Sequence, residues 1–496
     1  MDVSEYKTQL SLPKSQLDKI TSSTKKKMPD KLIQEIRVKH QIIISSLSEN
    51  TPETFCEAVT SCYRIIKGIP KYKFEFINEF WDDELGRALH TYLLKVQSTE
   101  YILPVLCFMC QLLKIDKIHS FYSNNFLLAE IALGYISKFP NDLECVAQSL
   151  KMFSIILDYY QSKPLPCDLK ILLNFFQDSV YCSARCQKYI ARSIVRIIIN
   201  INFVSFTRKI VNIIFLISQK PLTLKVVEDI IDSLYILSQC DVNYNYMFLN
   251  TPIIPNIVKF YRDNPILFKK NSPCHISFLK LIGDLAYKID YKPLFFLLKA
   301  VPIDYLKQFL FTQNSESKTS FPYLPYVLNI FIQILLAGEN DRNLFNYFPQ
   351  INNVIKDVLS GFVSKPVLHK EVIINFVHSL LRQKNTDTYR FLMEREEEFF
   401  YEMTSAAVES NNEKLMEYQF SSLIMMYFIA CELCDAEIYL DFFIEAGIEE
   451  MIAPLLETVS EFVSYEIQVL LKIKSSKGQH VEISLDDIFA FCYEDQ

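Results

Sequence analysis

Two cysteine pairs have the spacing of metal-binding or redox-active sites. Two residues separate Cys107 from Cys110, and two separate Cys431 from Cys434. A zinc ribbon needs a second such pair roughly 15–20 residues away, and neither pair has one. Both pairs lie in apolar runs typical of buried helices, so we interpret the four thiols as buried and reduced. The sequence predicts no bound metal.

The other reactive residue types form no catalytic motif. The seven histidines are scattered, without the His-Glu-x-x-His spacing of a metal-binding helix. No Walker phosphate loop, dinucleotide fingerprint or Gly-x-Ser-x-Gly nucleophile turn is present. The acidic run at residues 394–398 is interpreted as the exposed start of a helix. The sequence favours a binding protein over an enzyme and predicts no cofactor.

The elements that position these residues are predicted to be helices. Half of the 496 residues are apolar, and only eight are glycine, where average usage of roughly 7% would give about 35. Hairpins and phosphate loops depend on glycine, so an all-α fold is expected. The apolar runs are shorter than the roughly 20 residues that span a bilayer, and the first residues are polar. We therefore expect a soluble intracellular protein with reduced thiols and no membrane partner.

A helical pattern recurs along the chain at intervals of 39 to 50 residues. This matches the roughly 40–47-residue period of armadillo and HEAT repeats. We predict a right-handed α-solenoid superhelix over residues 51–475, with a basic tail at 1–50 and an acidic tail at 476–496. A compact helical bundle is the alternative, but it needs no fixed period. One register position per unit falls on Gln111, Ile155, Asn200, Gln239, Asp284, Ile334, His378 and Met426.

Charge is distributed unevenly around a net value of −7. Residues 1–40 carry nine Lys/Arg and five Asp/Glu, whereas residues 391–496 carry five and twenty-three. This gradient suggests that different partners meet the two ends, although solvation of the outer faces also explains mixed charge.

Several segments in this register resemble the importin-α family, the armadillo adapters of nuclear import. They are Leu234–Gln239 (LYILSQ), Leu279–Asp284 (LKLIGD), Ile334–Asn340 (ILLAGEN) and Phe443–Ile448 (FIEAGI). The resemblance extends over about residues 230–470. It implies a nuclear-import adapter of the cytoplasm and nucleus, with protein or extended-peptide partners.

The groove that the resemblance implies is altered. The family lines it with Trp, which packs on cargo Lys/Arg stems, and with Asn one turn along, which clamps the peptide backbone. This chain has one tryptophan, Trp81, outside the register. The corresponding pairs are Cys107/Gln111, Lys151/Ile155, Arg196/Asn200, Tyr235/Gln239, Lys280/Asp284, Ile330/Ile334 and Ile374/His378.

These substitutions predict a groove for an extended peptide with acidic or mixed side chains. Arg196 is expected to hold a carboxylate, while Asn200 and Gln239 bind the peptide backbone. The alternative is that the wall residues neutralise one another, with Lys280 paired to Asp284. The predicted groove comprises Gln111, Arg196, Asn200, Tyr235, Gln239, Lys280 and Asp284.

The basic head resembles a thinned importin-β-binding segment. Its candidate residues are Lys25, Lys26, Lys27, Arg37 and Lys39. The resemblance implies an importin-β-type carrier as partner, and a solvated, partly disordered tail is the alternative.

Two functions remain open at this point: a divergent import adapter with an altered cargo groove, and an armadillo scaffold of a protein complex with no transport role. Nucleic acid is disfavoured, because a pI near 5.7 is wrong for a surface that follows phosphates.

Overall fold

A computed structural model describes most of the chain. The described residues are 30–48, 51–68, 81–115, 118, 120–122, 128–158, 168–200, 204–265, 273–288, 291–310, 323–338, 348–359, 362, 365–394 and 397–475. Their regular structure is helical, and none of these residues lies in a strand. The predicted all-α fold class is confirmed.

Residues 1–253 form one compact unit. Its described helices are α1 (Asp30–Ser48), α2 (Pro52–Gly68), α3 (Asp83–Lys95), α4 (Thr99–Leu112), α5 (Leu128–Lys138), α6 (Leu143–Asp158), α7 (Leu169–Ser179), α8 (Ala184–Asn200), a 3-10 turn (Val204–Phe206), α9 (Thr207–Ser218), α10 (Leu224–Cys240) and α11 (Val242–Leu249).

Residues 254–496 form a second compact unit. Its described helices are α12 (Ile253–Asp263), α13 (Pro273–Lys288), α14 (Tyr291–Ala300), α15 (Ile303–Leu310), α16 (Leu324–Gly338), α17 (Phe348–Asn352), α18 (Ile355–Leu359), α19 (Val367–Arg382), α20 (Thr386–Met393), α21 (Glu397–Glu409), α22 (Glu413–Leu433), α23 (Ala436–Glu445), α24 (Ile448–Ile452), a 3-10 turn (Ala453–Leu455) and α25 (Glu461–Ser475).

The long helices of the first unit stack in chain order. Helices α2, α4, α6, α8 and α10 each pack on the next and form the first-unit ladder. The shorter helices α3, α5, α7, α9 and α11 form a second layer in the same order. The ladder helices begin at residues 52, 99, 143, 184 and 224. This spacing is that of two-layer helical repeats of roughly 40–47 residues.

The second unit contains a ladder of the same kind. Helices α13, α16, α19, α22 and α25 pack on one another in that order and form the second-unit ladder. Shorter helices pack behind them, including α20, α21 and α23 against α22. Because neighbours and the second layer cover the rest of each ladder helix, its polar residues collect on one remaining face.

The chain begins and ends its helices largely without glycine. The Asp82 carboxylate accepts from the Leu85 N–H at 2.8 Å and caps α3. The Asn385 side chain likewise accepts from the Thr388 N–H at 2.8 Å and caps α20. Cys434 ends α22 in the left-handed region at φ 61°, a position that usually holds glycine. Short polar side chains thus cap these two helix starts, and a cysteine stands in the left-handed position that ends α22.

The segment predicted to be a basic tail contains a packed helix. Ile36 and Ile43 of α1 are buried, and α1 packs against α2 and α3. Burial of its apolar side therefore holds α1, at residues 30–48 of the predicted basic tail, in the repeat array. Of the candidate carrier-binding residues, Arg37 is exposed on α1 and Lys39 is half-buried. Lys25, Lys26 and Lys27, and the predicted acidic tail at 476–496, lie outside the described residues.

Candidate functional site: the ladder faces

A row of accessible polar side chains follows the first-unit ladder. On each helix they recur at intervals of three, four or seven residues, so they share one side of that helix. We call this row the first-unit ladder face. It comprises Cys107 and Gln111 of α4, Glu144, Gln148, Lys151 and Asp158 of α6, Arg185, Tyr189, Arg192 and Arg196 of α8, and Lys225, Glu228, Asp232, Tyr235 and Gln239 of α10.

Arg196 is engaged by a carboxylate of the chain itself. Its Nε donates to Asp158 Oδ1 at 2.6 Å, and an Arg192 nitrogen lies 3.3 Å from the same oxygen. Asp158 thus already accepts from the Arg196 guanidinium, and the role of Arg196 as a holder of a partner's carboxylate stays a prediction. The sequence did not reveal Asp158, which lies 38 residues before Arg196 and has no neighbouring motif.

Arg192 extends the ion network to α10. Its NH1 lies 3.5 Å from Asp229 Oδ1, and Asp229 is fully buried. Burial raises the pKa of Asp229 despite the opposing charges of Lys225 and Arg192. Burial, followed by the charge of Asp229, raises the pKa of Asp232 to about 6. The network thus joins the three consecutive ladder helices α6, α8 and α10. At α10 its acidic residues outnumber the basic ones that face them.

A second, more exposed contact also joins α6 to α8. Arg185 NH1 donates to both carboxylate oxygens of Glu144, at 2.8 and 2.7 Å. Gln148 Nε2 donates to the same carboxylate at 2.9 Å. Both charged side chains are about half exposed or more, so the pair adds little stability. The pair does fix the position of the Arg185 guanidinium at the N-terminal end of α8.

The structure places the other predicted first-unit residues on the same row. Gln111 accepts from Lys114 Nζ at 3.0 Å on α4. Tyr235 and Gln239 are half-buried on α10, and Gln239 Nε2 lies 3.4 Å from Ser238 Oγ. Asn200 is the last residue of α8, and its side chain is outside the described part. Gln111, Arg196, Tyr235 and Gln239 therefore share the first-unit ladder face.

Lys280 and Asp284 belong to the other ladder. Both lie half-buried on α13, in the second unit. Lys280 Nζ lies 5.7 Å from the ring centroid of Tyr326 on α16, within the range of a cation–π contact. These two residues must therefore be considered apart from the first-unit row.

Further along the second-unit ladder, the residues at the predicted groove positions face the core. Ile330, Ile334 and Ile374 are buried, and so is His378. The His378 ring lies 5.0 Å from that of Tyr418 on α22, and burial lowers the pKa of His378 to about 3. These positions are core residues, so they cannot contact a bound peptide.

The accessible amides of the second-unit ladder stand beside those positions. Asn329 is exposed and Gln333 half-buried on α16, and Asn375 is half-buried on α19. Asn329 and Gln333 are one helical turn apart on α16. The repeat register selects the buried neighbours Ile330, Ile334 and Ile374 instead of these three amides. The i,i+4 polar pair within an apolar helix was the signal that could have found them.

Metal-binding groups, cysteine burial and membrane-spanning helices can each be checked in the described part of the chain. No group of three or more His, Cys, Asp or Glu side chains there could hold a metal ion. Cys110 is buried, and burial raises its pKa to about 12, whereas Cys434 is exposed. No described helix is both long and apolar enough to cross a membrane.

Comparison with known proteins identifies the fold. A structure concerning a phosphorylation switch in the interaction between cadherin and beta-catenin matches with a TM-score of 0.61 and 11% identity, covering 88% of this chain and 83% of that one. An engineered protein matches at 0.50 and 13%, covering 88% and 99%. A crystal structure of importin beta is similar only at 0.34 and 11%, covering 90% and 53%, too low to carry an argument.

These matches define the class. The chain has the fold of an armadillo/HEAT-type helical repeat protein. No protein-family model matches the sequence. No curated protein matches it either.

Proposed function

We propose that the chain is a protein-binding scaffold whose first-unit ladder face binds an extended peptide. The observation that carries this proposal is the row of polar side chains supplied by α4, α6, α8 and α10. Packed helices lie roughly 8–10 Å apart, and an extended chain rises about 3.3 Å per residue. One step of the ladder therefore corresponds to about three peptide residues, so successive helices can contact every third residue.

The charges of this face favour acidic or mixed peptides. Arg185, Arg192 and Arg196 line α8, and each already stands against a carboxylate. Asp158 already orients the guanidinium groups of Arg192 and Arg196. A partner's Asp or Glu could take the place of Asp158 there, and the entropic cost of binding would be lower because the two arginines are already ordered. The amide of Gln239 is placed to hydrogen-bond the peptide backbone.

For the cellular role, we propose a divergent importin-α-like adapter with an altered cargo groove. The support is the residue resemblance over about 230–470 together with the position of α1. In this proposal the carrier site comprises Lys25–Lys27 and the exposed Arg37 of α1. Cytoplasm and nucleus, and an importin-β-type carrier, belong to the same proposal.

The burial of Ile330, Ile334, Ile374 and His378 favours a second candidate. Four positions at which the family pattern needs groove residues are core residues here. An armadillo scaffold that holds a protein complex together, without transport, would have no need of them.

Quantitative co-purification from cell extract tests both candidates. The full chain is compared with a variant lacking residues 1–29, which leaves α1 intact, and with Arg196→Glu/Tyr235→Ala. The matched control is Arg208→Glu/Tyr181→Ala, at exposed residues of the same unit outside the ladder face.

Loss of an importin-β-type carrier on deletion supports the adapter. A wild-type partner set without an importin-β-type carrier, from which partners are lost in Arg196→Glu/Tyr235→Ala but not on deletion, supports the scaffold without transport. A partner set in Arg196→Glu/Tyr235→Ala that equals that of the control contradicts binding at the first-unit ladder face.

A further inference from the structure

Helix α23 has one firmly packed side. Tyr439, Leu440 and Phe443 are buried, and the Tyr439 hydroxyl donates to the Leu423 carbonyl of α22 at 2.7 Å. The ring of Phe442 lies 5.8 Å from that of Phe400 on α21. These contacts fix which side of α23 faces away from the second unit.

The open side combines negative charge with exposed aliphatic groups. Glu437, Asp441 and Glu445 are exposed on successive turns and form one stripe. Ile438 and Ile444 flank the stripe on either side and are 54% and 53% exposed. We call these five residues the α23 face.

Nothing described within the chain balances this face. No ion pair joins Glu437, Asp441 or Glu445 to a side chain of the described part. Between residues 401 and 471 the sequence has one basic residue, Lys414, against fourteen acidic ones. Like charges one turn apart disfavour a helix, and the exposed isoleucines lose the benefit of burial. A single kind of partner would relieve both costs.

We propose that the α23 face docks a basic amphipathic helix of a partner protein. A ten-residue helix is about 15 Å long, so it matches about three turns of a partner. The complementary helix has Lys or Arg on successive turns, with aliphatic side chains on both flanks. The contact is small, so it is transient and salt-sensitive. Helix α23 lies behind the ladder, so this surface is separate from the ladder faces and does not depend on the peptide-binding proposal.

The test uses the full chain and a fluorescein-labelled, stapled helical peptide of Lys, Leu and Ala. Its lysines stand at i, i+4 and i+8 with leucines on both flanks, and a scrambled peptide has the same composition. Fluorescence anisotropy is expected to show saturable binding of the patterned peptide. Asp441→Lys/Glu445→Lys is expected to weaken it at least about tenfold, and Ile438→Ser/Ile444→Ser at least about fivefold.

The matched control is Glu409→Lys/Glu413→Lys, with the same charge change at two exposed residues, the last of α21 and the first of α22. It is expected to change affinity less than about twofold. Equal weakening by the control, equal binding of the scrambled peptide, or no saturable binding overturns the proposal. So does an unchanged affinity in the isoleucine variant. A tenfold gain in affinity for the patterned peptide on removal of residues 1–29 would also overturn it, because the chain's own basic N-terminal segment would then be the occupant of the α23 face. Circular dichroism confirms that each variant is folded.

Discussion

Asp232 is expected to destabilise the folded chain at neutral pH, so Asp232→Asn should stabilise it. Burial, and then the charge of Asp229, raises the pKa of Asp232 from 3.8 to about 6. One pKa unit is worth about 1.4 kcal/mol, so the ionised carboxylate costs about 3 kcal/mol. An asparagine avoids the charge but still buries an amide. We therefore expect a net gain in unfolding free energy of about 1–2 kcal/mol at pH 7.5.

The pH dependence gives the sharper signature. An acid whose pKa is raised by folding is penalised most above the folded value, here about 6. The penalty falls as the pH drops from 6 toward 3.8, because the folded state then binds the proton. The advantage of Asp232→Asn should accordingly be full at pH 7.5 and nearly absent at pH 5. At pH 4 the variant should be slightly less stable than wild type, because the cost of the buried amide then exceeds what remains of the ionisation penalty.

Urea unfolding followed by circular dichroism at these three pH values measures the effect. The control is Asp178→Asn, which removes an exposed carboxylate on α7 and should change stability by less than about 0.5 kcal/mol. A variant that is no more stable than wild type at pH 7.5 would refute the reasoning. So would a gain of the same size at all three pH values.

Three further predictions follow from the same geometry. A Lys-rich localisation peptide should bind weakly, because Lys151 and Arg196 stand on the ladder face and no Trp does; submicromolar binding in anisotropy would contradict this. Cys434→Gly should stabilise the chain by about 0.5 kcal/mol, since φ is 61° there; a lower urea midpoint would show otherwise. Tyr439→Phe should cost about 1 kcal/mol by removing the hydrogen bond to Leu423, and an unchanged midpoint would refute it.

The helical repeat fold was predictable because its signals are local. A shortage of glycine and an apolar pattern at intervals of 39 to 50 residues need no knowledge of distant contacts. The ladder assignment of Gln111 and Gln239 follows from the same pattern. The helix at residues 30–48 has a local signal of the same kind, the seven-residue spacing of Ile36 and Ile43, which are both buried.

The site was less predictable because it depends on contacts between helices. The pair of Asp158 and Arg196 joins two repeats, and nothing near either residue in the sequence signals it. On α16 the register selected Ile330, whereas the accessible residue is its neighbour Asn329. A shift of one residue turns a helix by about 100°, which is enough to exchange a core position for a surface one.

The stacking of each ladder helix on its immediate neighbours has a consequence for how the chain folds. Contacts that join repeats, such as Tyr135 to Leu93 and Gln383 to Leu335, span 42 and 48 residues and therefore close short loops. Low contact order of this kind favours rapid folding, and a repeat array can nucleate at any point and extend in either direction. During synthesis, each ladder helix of the first unit can therefore pack on the preceding one as it emerges.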